Sequence, residues 1–226
     1  MFGRYSEIAK WLHSISGGKT GSRLARLRRQ EDIEACKILG VTNRHFRWRD
    51  AVYRKGRTGK FLYNECKQET RHVDDESLIS DIATTLHCEL SHEVRLFIPL
   101  GVGSHVDHLI VRQAAEKSGQ GRQAYYPEVP YAQLFPDQTT PKVAGLQSFC
   151  FDVNSDQTAR WIQAIKCYAS QRRMLEEAAG PLPELINKYA NSGKLFFHHS
   201  TRNSMVDLFG SNFQLSDRRI AVDKAG

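Results

Sequence analysis

The sequence lacks any apolar run long enough to cross a membrane, although 40% of its 226 residues are hydrophobic. A membrane-spanning helix needs roughly 18 or more such residues in succession. The amino end also lacks the apolar stretch of a secretory signal. We therefore expect a cytoplasmic protein with no membrane span.

Cysteine is scarce, and no two cysteines have the C-x-x-C spacing. An odd number of cysteines without paired spacing argues against a disulfide framework. We expect reduced and mostly structural thiols, which agrees with a cytoplasmic location. The five cysteines are Cys36, Cys66, Cys88, Cys150 and Cys167.

The sequence also has no internal repeat, no low-complexity tract and no obvious linker. A chain of this length and hydrophobic content can bury one sizeable core. We therefore predict a single domain over residues 1–226, in which the charged tail at about 217–226 is frayed.

Acidic residues are few in the first 60 positions, which hold 15 Lys and Arg against five Asp and Glu. The rest of the chain holds 17 Lys and Arg against 20 Asp and Glu, and the formal net charge of the whole chain is +7. Such a cluster could bind nucleic acid or anionic lipid. No RNP, zinc-finger or helix-turn-helix pattern accompanies it, and a solvated helix face with a basic loop is the more frequent cause.

Helical and strand-like segments alternate along the chain, as in layered α/β domains. Apolar spacing and capping residues predict helices over about 6–14, 22–39 and 74–86, and one long helix over about 155–180. A short strand is expected over 45–48.

A chemically informative stretch follows the apolar strand predicted over 94–99. There Gly101-Val-Gly-Ser-His-Val-Asp-His108 reads as a glycine loop that opens a helix. Such a loop lies at the carboxyl edge of an α/β sheet, where ligand and catalytic sites occur. His105 falls in the loop and His108 in the first helical turn, so both can face one crevice.

Two imidazoles with one carboxylate between them suit a metal ligand plus a general acid. Asp107 could orient an imidazole by accepting its second N–H. The alternative is a helix N-terminus at which Asp107 meets the helix dipole while the histidines cap or pack.

Five segments in register resemble the LmbE-like or PIG-L family of zinc-dependent de-N-acetylases. The glycine loop resembles the second metal motif of that family. The matches keep their order and extend from about Ser6 to Gln171. The other four are Arg28-Arg-Gln-Glu31 with the following Leu39-Gly-Val41, Phe46–Arg54, Tyr125–Ala132 and Ala164–Gln171.

The resemblance implies an α/β, three-layer Rossmann-like domain with a mostly parallel sheet. Family members open with a strand that ends in H-P-D-D, and this sequence contains no H-P-D-D. We expect that the chain lacks its first strands, about 30 residues or one βαβ unit. A start codon placed too late, a gene fragment and true degeneration are the alternatives.

For the chemistry, the resemblance implies that His108 is a zinc ligand and His105 the general acid or oxyanion stabiliser. Asp107 would orient His105, and Arg28 would contact substrate, although it also lies three residues from Glu31 and could form a surface ion pair. Catalytic zinc usually has three protein ligands. We expect weak or absent zinc binding and no activity of this chain alone.

The implied substrate is a small-molecule N-acetylglucosaminyl conjugate, and no residue selects its aglycone. One alternative is a non-catalytic sugar- or nucleotide-sugar-binding remnant that uses Arg28 and the glycine loop. A less favoured one is a basic nucleic-acid-binding protein. Missing first strands would also expose a sheet edge, so homo-oligomers or aggregates are expected.

Overall fold

The chain divides into two compact units, and each draws on two separate stretches of the sequence. The first unit combines segments 1–68 and 152–191, and the second combines 69–151 and 192–226. None of the described helices is both long and apolar enough to span a membrane. The computed structural model describes residues 5–64, 71–150, 153–190 and 194–198.

Helices outnumber strands in the described residues. Short 3-10 turns at Ala51–Tyr53, Val73–Asp75, Val102–Ser104 and Pro136–Gln138 connect them. In chain order the elements are α1 (Glu7–Ile15), α2 (Gly21–Leu39), α3 (Glu76–Glu89), β1 (Arg95–Pro99), α4 (Val106–Ser118), β2 (Arg122–Tyr126), α5 (Tyr131–Leu134), α6 (Thr139–Lys142), β3 (Leu146–Cys150), α7 (Ser155–Lys166), α8 (Ala169–Ala179), α9 (Leu182–Ala190) and β4 (Lys194–His198).

The first unit is helical. Its first helix begins where the Ser6 hydroxyl accepts a hydrogen bond from the Ala9 N–H, and α2 ends at Gly40 in the left-handed conformation. These ends confirm the two helices predicted there. Within this unit α2 packs against α7 and α8, and a small core joins α1 to Val52.

The long helix predicted over 155–180 is wrong, because the chain breaks between α7 and α8. Tyr168 leaves the helical conformation, with φ −81° and ψ 50°. Its hydroxyl donates to Asp32 Oδ1 at 2.6 Å, and Ser170 bonds to Glu31. These contacts with α2 outweigh the helical pattern of the local sequence.

The strand predicted over 45–48 is also wrong, because this stretch has neither helical nor strand structure. The ring of Phe46 stacks on that of Trp48, with centroids 4.5 Å apart, and Arg29 donates to the Phe46 carbonyl oxygen. None of the described strands pairs with it. Alternation of apolar and basic residues here reflects ring packing instead of a sheet.

A four-stranded sheet of order β1-β2-β4-β3 forms the second unit. The strand β2 is parallel to β1, and β4 is antiparallel to both β2 and β3. Three strands therefore share one direction, and the predicted Rossmann-like α/β class is confirmed. Of the three strand pairs, however, two are antiparallel, because β4 returns from the last helix and inserts between β2 and β3.

The crossover β1-α4-β2 positions the glycine loop at the carboxyl end of a parallel pair, as predicted. Only the end of the predicted buried strand is covered, since Ile98 is 2% exposed while Phe97 is 43% exposed. Ile98 packs in a core with Leu100, Val102 and Tyr125. This core fixes the point from which the loop departs.

Candidate active site

The loop after β1 requires glycine at two positions. Gly101 and Gly103 have φ of 81° and 76°, a region that other residues rarely adopt. A Cβ atom on Gly103 would lie 2.6 Å from Cδ1 of Tyr131. The glycines therefore allow both the left-handed backbone and the close approach of the Tyr131 ring.

Three successive backbone N–H groups of this loop bind side chains that follow β2. Gly101 donates to Oε1 of Glu128 at 2.8 Å and Val102 to Oε2 at 3.1 Å, while Gly103 donates to Gln138 Oε1 at 2.9 Å. Glu128 is 5% exposed. The loop thus forms a nest for an internal carboxylate, so these N–H groups are not open to a ligand.

His105 is the N-cap of α4, which confirms its predicted place in the loop. Its Nδ1 accepts a hydrogen bond from the backbone N–H of Asp107 at 3.2 Å. An imidazole that accepts at Nδ1 holds its proton at Nε2 when neutral. The observed bond uses the Asp107 backbone, and a role for its carboxylate stays a prediction.

His108 lies in the first turn of α4 beside His105, with the ring centroids 4.9 Å apart. Its Nδ1 is 3.0 Å from Glu128 Oε1, the distance of an ion pair, although the ring N–H is not aligned for a linear hydrogen bond. A carboxylate beside Nδ1 favours the proton there. The lone pair is then on Nε2, the form in which histidine binds metals.

The described residues do not by themselves fit a catalytic zinc ion. No group of three His, Cys, Asp or Glu side chains in the described part of the chain is placed to hold a metal. His105 already uses Nδ1, and both carboxylate oxygens of Glu128 accept backbone N–H groups. The donor set amounts to one imidazole, against the three protein ligands that catalytic zinc usually has.

Glu128 is the site residue that sequence reasoning missed. It follows β2 by two residues, and β2 is the parallel neighbour of β1, so both carboxyl-end loops meet. In the sequence, an acidic residue two positions after the strand that follows the glycine loop could have indicated Glu128. Lys142 lies near this carboxylate. Its pKa is lowered mainly by burial and then by the charge of Arg112, whereas the charge of Glu128 raises it.

Arg28 and Glu31 have separate partners in the first unit. Arg28 Nη1 is 3.6 Å from Asp50 Oδ2, whereas Glu31 accepts hydrogen bonds from the Ser170 N–H and hydroxyl. The alternative of an Arg28–Glu31 ion pair is therefore wrong. Arg28 lines a cavity of about 760 Å³ within this unit.

No protein-family model matches the sequence, and no curated protein matches it. Solved structures do match. The zinc-inhibited form of the teicoplanin deacetylase Orf2 has 23% sequence identity and a TM-score of 0.72, covering 86% of this chain and 81% of that one.

Two further structures agree. A deacetylase–teicoplanin complex has 21% identity and a TM-score of 0.65, covering 85% of this chain and 80% of that one. The A40926 pseudoaglycone deacetylase Dbv21 has 22% identity and a TM-score of 0.62, with 88% and 80% covered. The chain has the fold of these deacetylases. The resemblance predicted from the PIG-L motifs is thereby confirmed at the level of the fold.

Proposed function

We propose that the chain is a metal-dependent N-deacetylase of the PIG-L or LmbE type, a hydrolase that removes an N-acetyl group from an N-acetylglucosaminyl-type conjugate. The observation that carries this proposal is the pair of imidazoles, His105 and His108, beside buried Glu128 at the carboxyl ends of two parallel strands. The deacetylase fold supports it, as does the complex of one such deacetylase with teicoplanin.

His105 suits a catalytic donor at Nε2. The Asp107 N–H donates to Nδ1, so the neutral ring holds its proton on Nε2. In this form the ring can donate a hydrogen bond to the oxyanion that forms when the amide carbonyl is attacked, and one such donor contributes about 10²–10³-fold to rate. To act as general acid towards the departing nitrogen, the ring would first have to take up a proton on Nδ1 and release the Asp107 N–H.

Glu128 acts as a positioning residue for His108. The carboxylate is itself held by the Gly101 and Val102 N–H groups, so it fixes the imidazole relative to the sheet. Carboxylates in this position set the tautomer and raise the basicity of a ligating histidine. His108 would then offer Nε2 to zinc.

The proposed metal site needs more ligands than the described residues supply. In the family that the motifs resemble, they come from H-P-D-D, which is absent from the 226 residues. We propose that the chain alone binds zinc weakly and does not turn over substrate, because a one-ligand site has little affinity. Arg28, which lines a cavity in the first unit, is proposed to contact substrate.

Two proteins test this proposal. One is the 226-residue chain, and the other is a chimera in which the H-P-D-D-bearing segment of a PIG-L deacetylase is fused to its amino end. Zinc content and release of acetate from N-acetylglucosaminyl conjugates are measured for both. We expect activity only in the chimera, and its loss in His105→Ala and His108→Ala. His92→Ala is the control, since that histidine is exposed in the same unit.

Substituting Glu128 with Gln in the chimera should lower zinc affinity or kcat by about 10–100-fold. Tight zinc binding by the chain alone that survives His108→Ala would contradict the site. A chimera that binds zinc stoichiometrically but hydrolyses no N-acetyl conjugate would contradict the function.

A further inference from the structure

A cavity of the first unit is not explained by the histidine site. Its volume of about 760 Å³ lies in the range of small-molecule sites, about 300–1,000 Å³. The amino-terminal half of α2 forms one wall, and the irregular stretch 44–50 forms another. This stretch is the one whose predicted strand did not form.

Positive charge dominates the lining. Among the described lining residues the only carboxylate is Asp50, which pairs with Arg28. Arg47 and Arg49 are exposed and have no carboxylate partner in the part of the chain that the structure describes. The cationic lining residues are Arg28, Arg29, Arg44, Arg47, Arg49 and Lys55.

The positive end of α2 adds to this field. Gly21 and Ser22, in its first turn, line the cavity, and that turn contains no acidic residue. The N-cap residue Thr20 makes no side-chain capping bond. The Gly21 N–H donates to His13 Nε2 and the Arg23 N–H to the Thr20 carbonyl oxygen. The helix therefore adds the positive end of its dipole, more than free donors, to the charge of Arg47 and Arg49.

Aromatic rings alternate with the cations. The stacked pair Phe46 and Trp48 has the Arg44 guanidinium 5.1 Å from the Phe46 centroid. On another wall, Nζ of Lys55 lies 4.6 Å from the centroid of Phe61. Half-buried rings beside cations provide stacking surfaces for a flat ring system.

We propose that this cavity binds a phosphorylated ligand with a flat aromatic ring, of which a nucleoside diphosphate is the representative. Arg47 and Arg49 bind the phosphates, and Trp48 stacks on the base. An inorganic anion would make no contact with the aromatic rings. A concave cavity of this size suits a small molecule better than an extended single strand of nucleic acid. This binding does not rest on the proposed function.

Calorimetric titration of the full chain with ADP, UDP, adenosine and inorganic pyrophosphate tests the proposal. We expect saturable binding of at least one nucleotide, about tenfold or more tighter than of pyrophosphate or adenosine. The double variant Arg47→Gln/Arg49→Gln should weaken nucleotide binding by a similar factor. Arg26→Gln, an exposed change on α2 outside the cavity, should leave it unchanged.

Trp48→Leu should weaken nucleotide binding without affecting that of pyrophosphate. Unchanged melting temperatures show that the variants are folded. Absence of saturable nucleotide binding, or equal affinity for pyrophosphate and nucleotides, would overturn the proposal. So would tighter binding of single-stranded DNA through the same residues. Because no turnover is measured, these outcomes are independent of deacetylase activity, and His108→Ala should bind nucleotide normally.

Discussion

Glu31 and Ser170, 139 positions apart, are joined by two hydrogen bonds. The Ser170 N–H donates to Glu31 Oε1 at 2.8 Å, and its hydroxyl donates to Oε2 at 2.6 Å. Glu31 is 7% exposed, so its carboxylate is an internal N-terminal cap for α8. The acid of the R-x-x-E motif therefore has a structural function, separate from that proposed for Arg28.

Replacing Glu31 with Ala should lower the free energy of unfolding by about 2 kcal/mol, because the partly buried N–H and hydroxyl of Ser170 lose a charged acceptor. Urea unfolding measures this. Glu34→Ala is the matched control on α2. Among the described residues its solvent-exposed carboxylate pairs with Lys37 and Gln30, and we expect a much smaller loss there because exposed ion pairs contribute little. Equal losses would contradict the capping role.

Gly103→Ala should destabilise the protein more than Gly119→Ala. Both glycines have positive φ, but a Cβ at Gly119 would meet no atom within 4 Å, whereas one at Gly103 would lie 2.6 Å from Tyr131. Both variants incur backbone strain of about 1 kcal/mol, and only Gly103→Ala displaces the ring. Thermal melts of both variants measure the difference, and similar melting temperatures would show that Tyr131 moves at little cost.

His13 should make stability depend on pH. It is 5% exposed, and its Nε2 accepts from the Gly21 N–H and lies 2.8 Å from the Tyr53 hydroxyl. Burial, and then the charge of Arg28, lower the pKa of His13 from 6.5. Below pH 6.5 the unfolded chain therefore gains a proton that the folded chain resists, and the free energy of unfolding falls as pH falls.

The measurement compares urea unfolding of the wild type and His13→Gln at pH 7.5 and 5.5. The wild type should lose more stability over this interval than the variant, since every other ionisable group is common to both proteins. Parallel losses would assign the pH dependence to another group.

Phe97 should promote association of the chain. It is 43% exposed on β1, which pairs only with β2 among the described strands. Exposed apolar edges favour intermolecular pairing. We expect oligomers in size-exclusion chromatography with light scattering, and fewer in Phe97→Lys than in Val73→Lys, a change at an exposed residue outside the sheet. A monodisperse monomer with a sharp melt would contradict this.

The local sequence predicted where His105 and His108 lie in the secondary structure. Glycines after an apolar run end a strand, and helical spacing then places His105 at the cap and His108 in the first turn of α4. These features depend on neighbours within a few positions, so they can be read without the fold.

Contacts between distant positions account for what the sequence did not predict. Tyr168 breaks the expected long helix by bonding to Asp32, 136 positions away, and Glu128 reaches Gly101 over 27. Neither contact could be predicted from the spacing of residues along the sequence, because both depend on how distant segments pack. The strand predicted over 45–48 was wrong for a different reason. The alternating apolar residues there are Phe46 and Trp48, whose rings stack on each other, and the backbone pairs with no described strand.

The N–H groups of the glycine loop are bound by side chains that come later in the chain, and this affects the order in which the site can fold. The three bonds from Gly101, Val102 and Gly103 span 26 to 35 positions, and closing such intervals costs chain entropy before the contacts repay it. Helix α4 can form from local interactions, but the N–H groups of the loop before it are bound by water until residues 128–138 have arrived. We therefore expect His105 and His108 to reach their final position relative to the sheet only after β2 has docked.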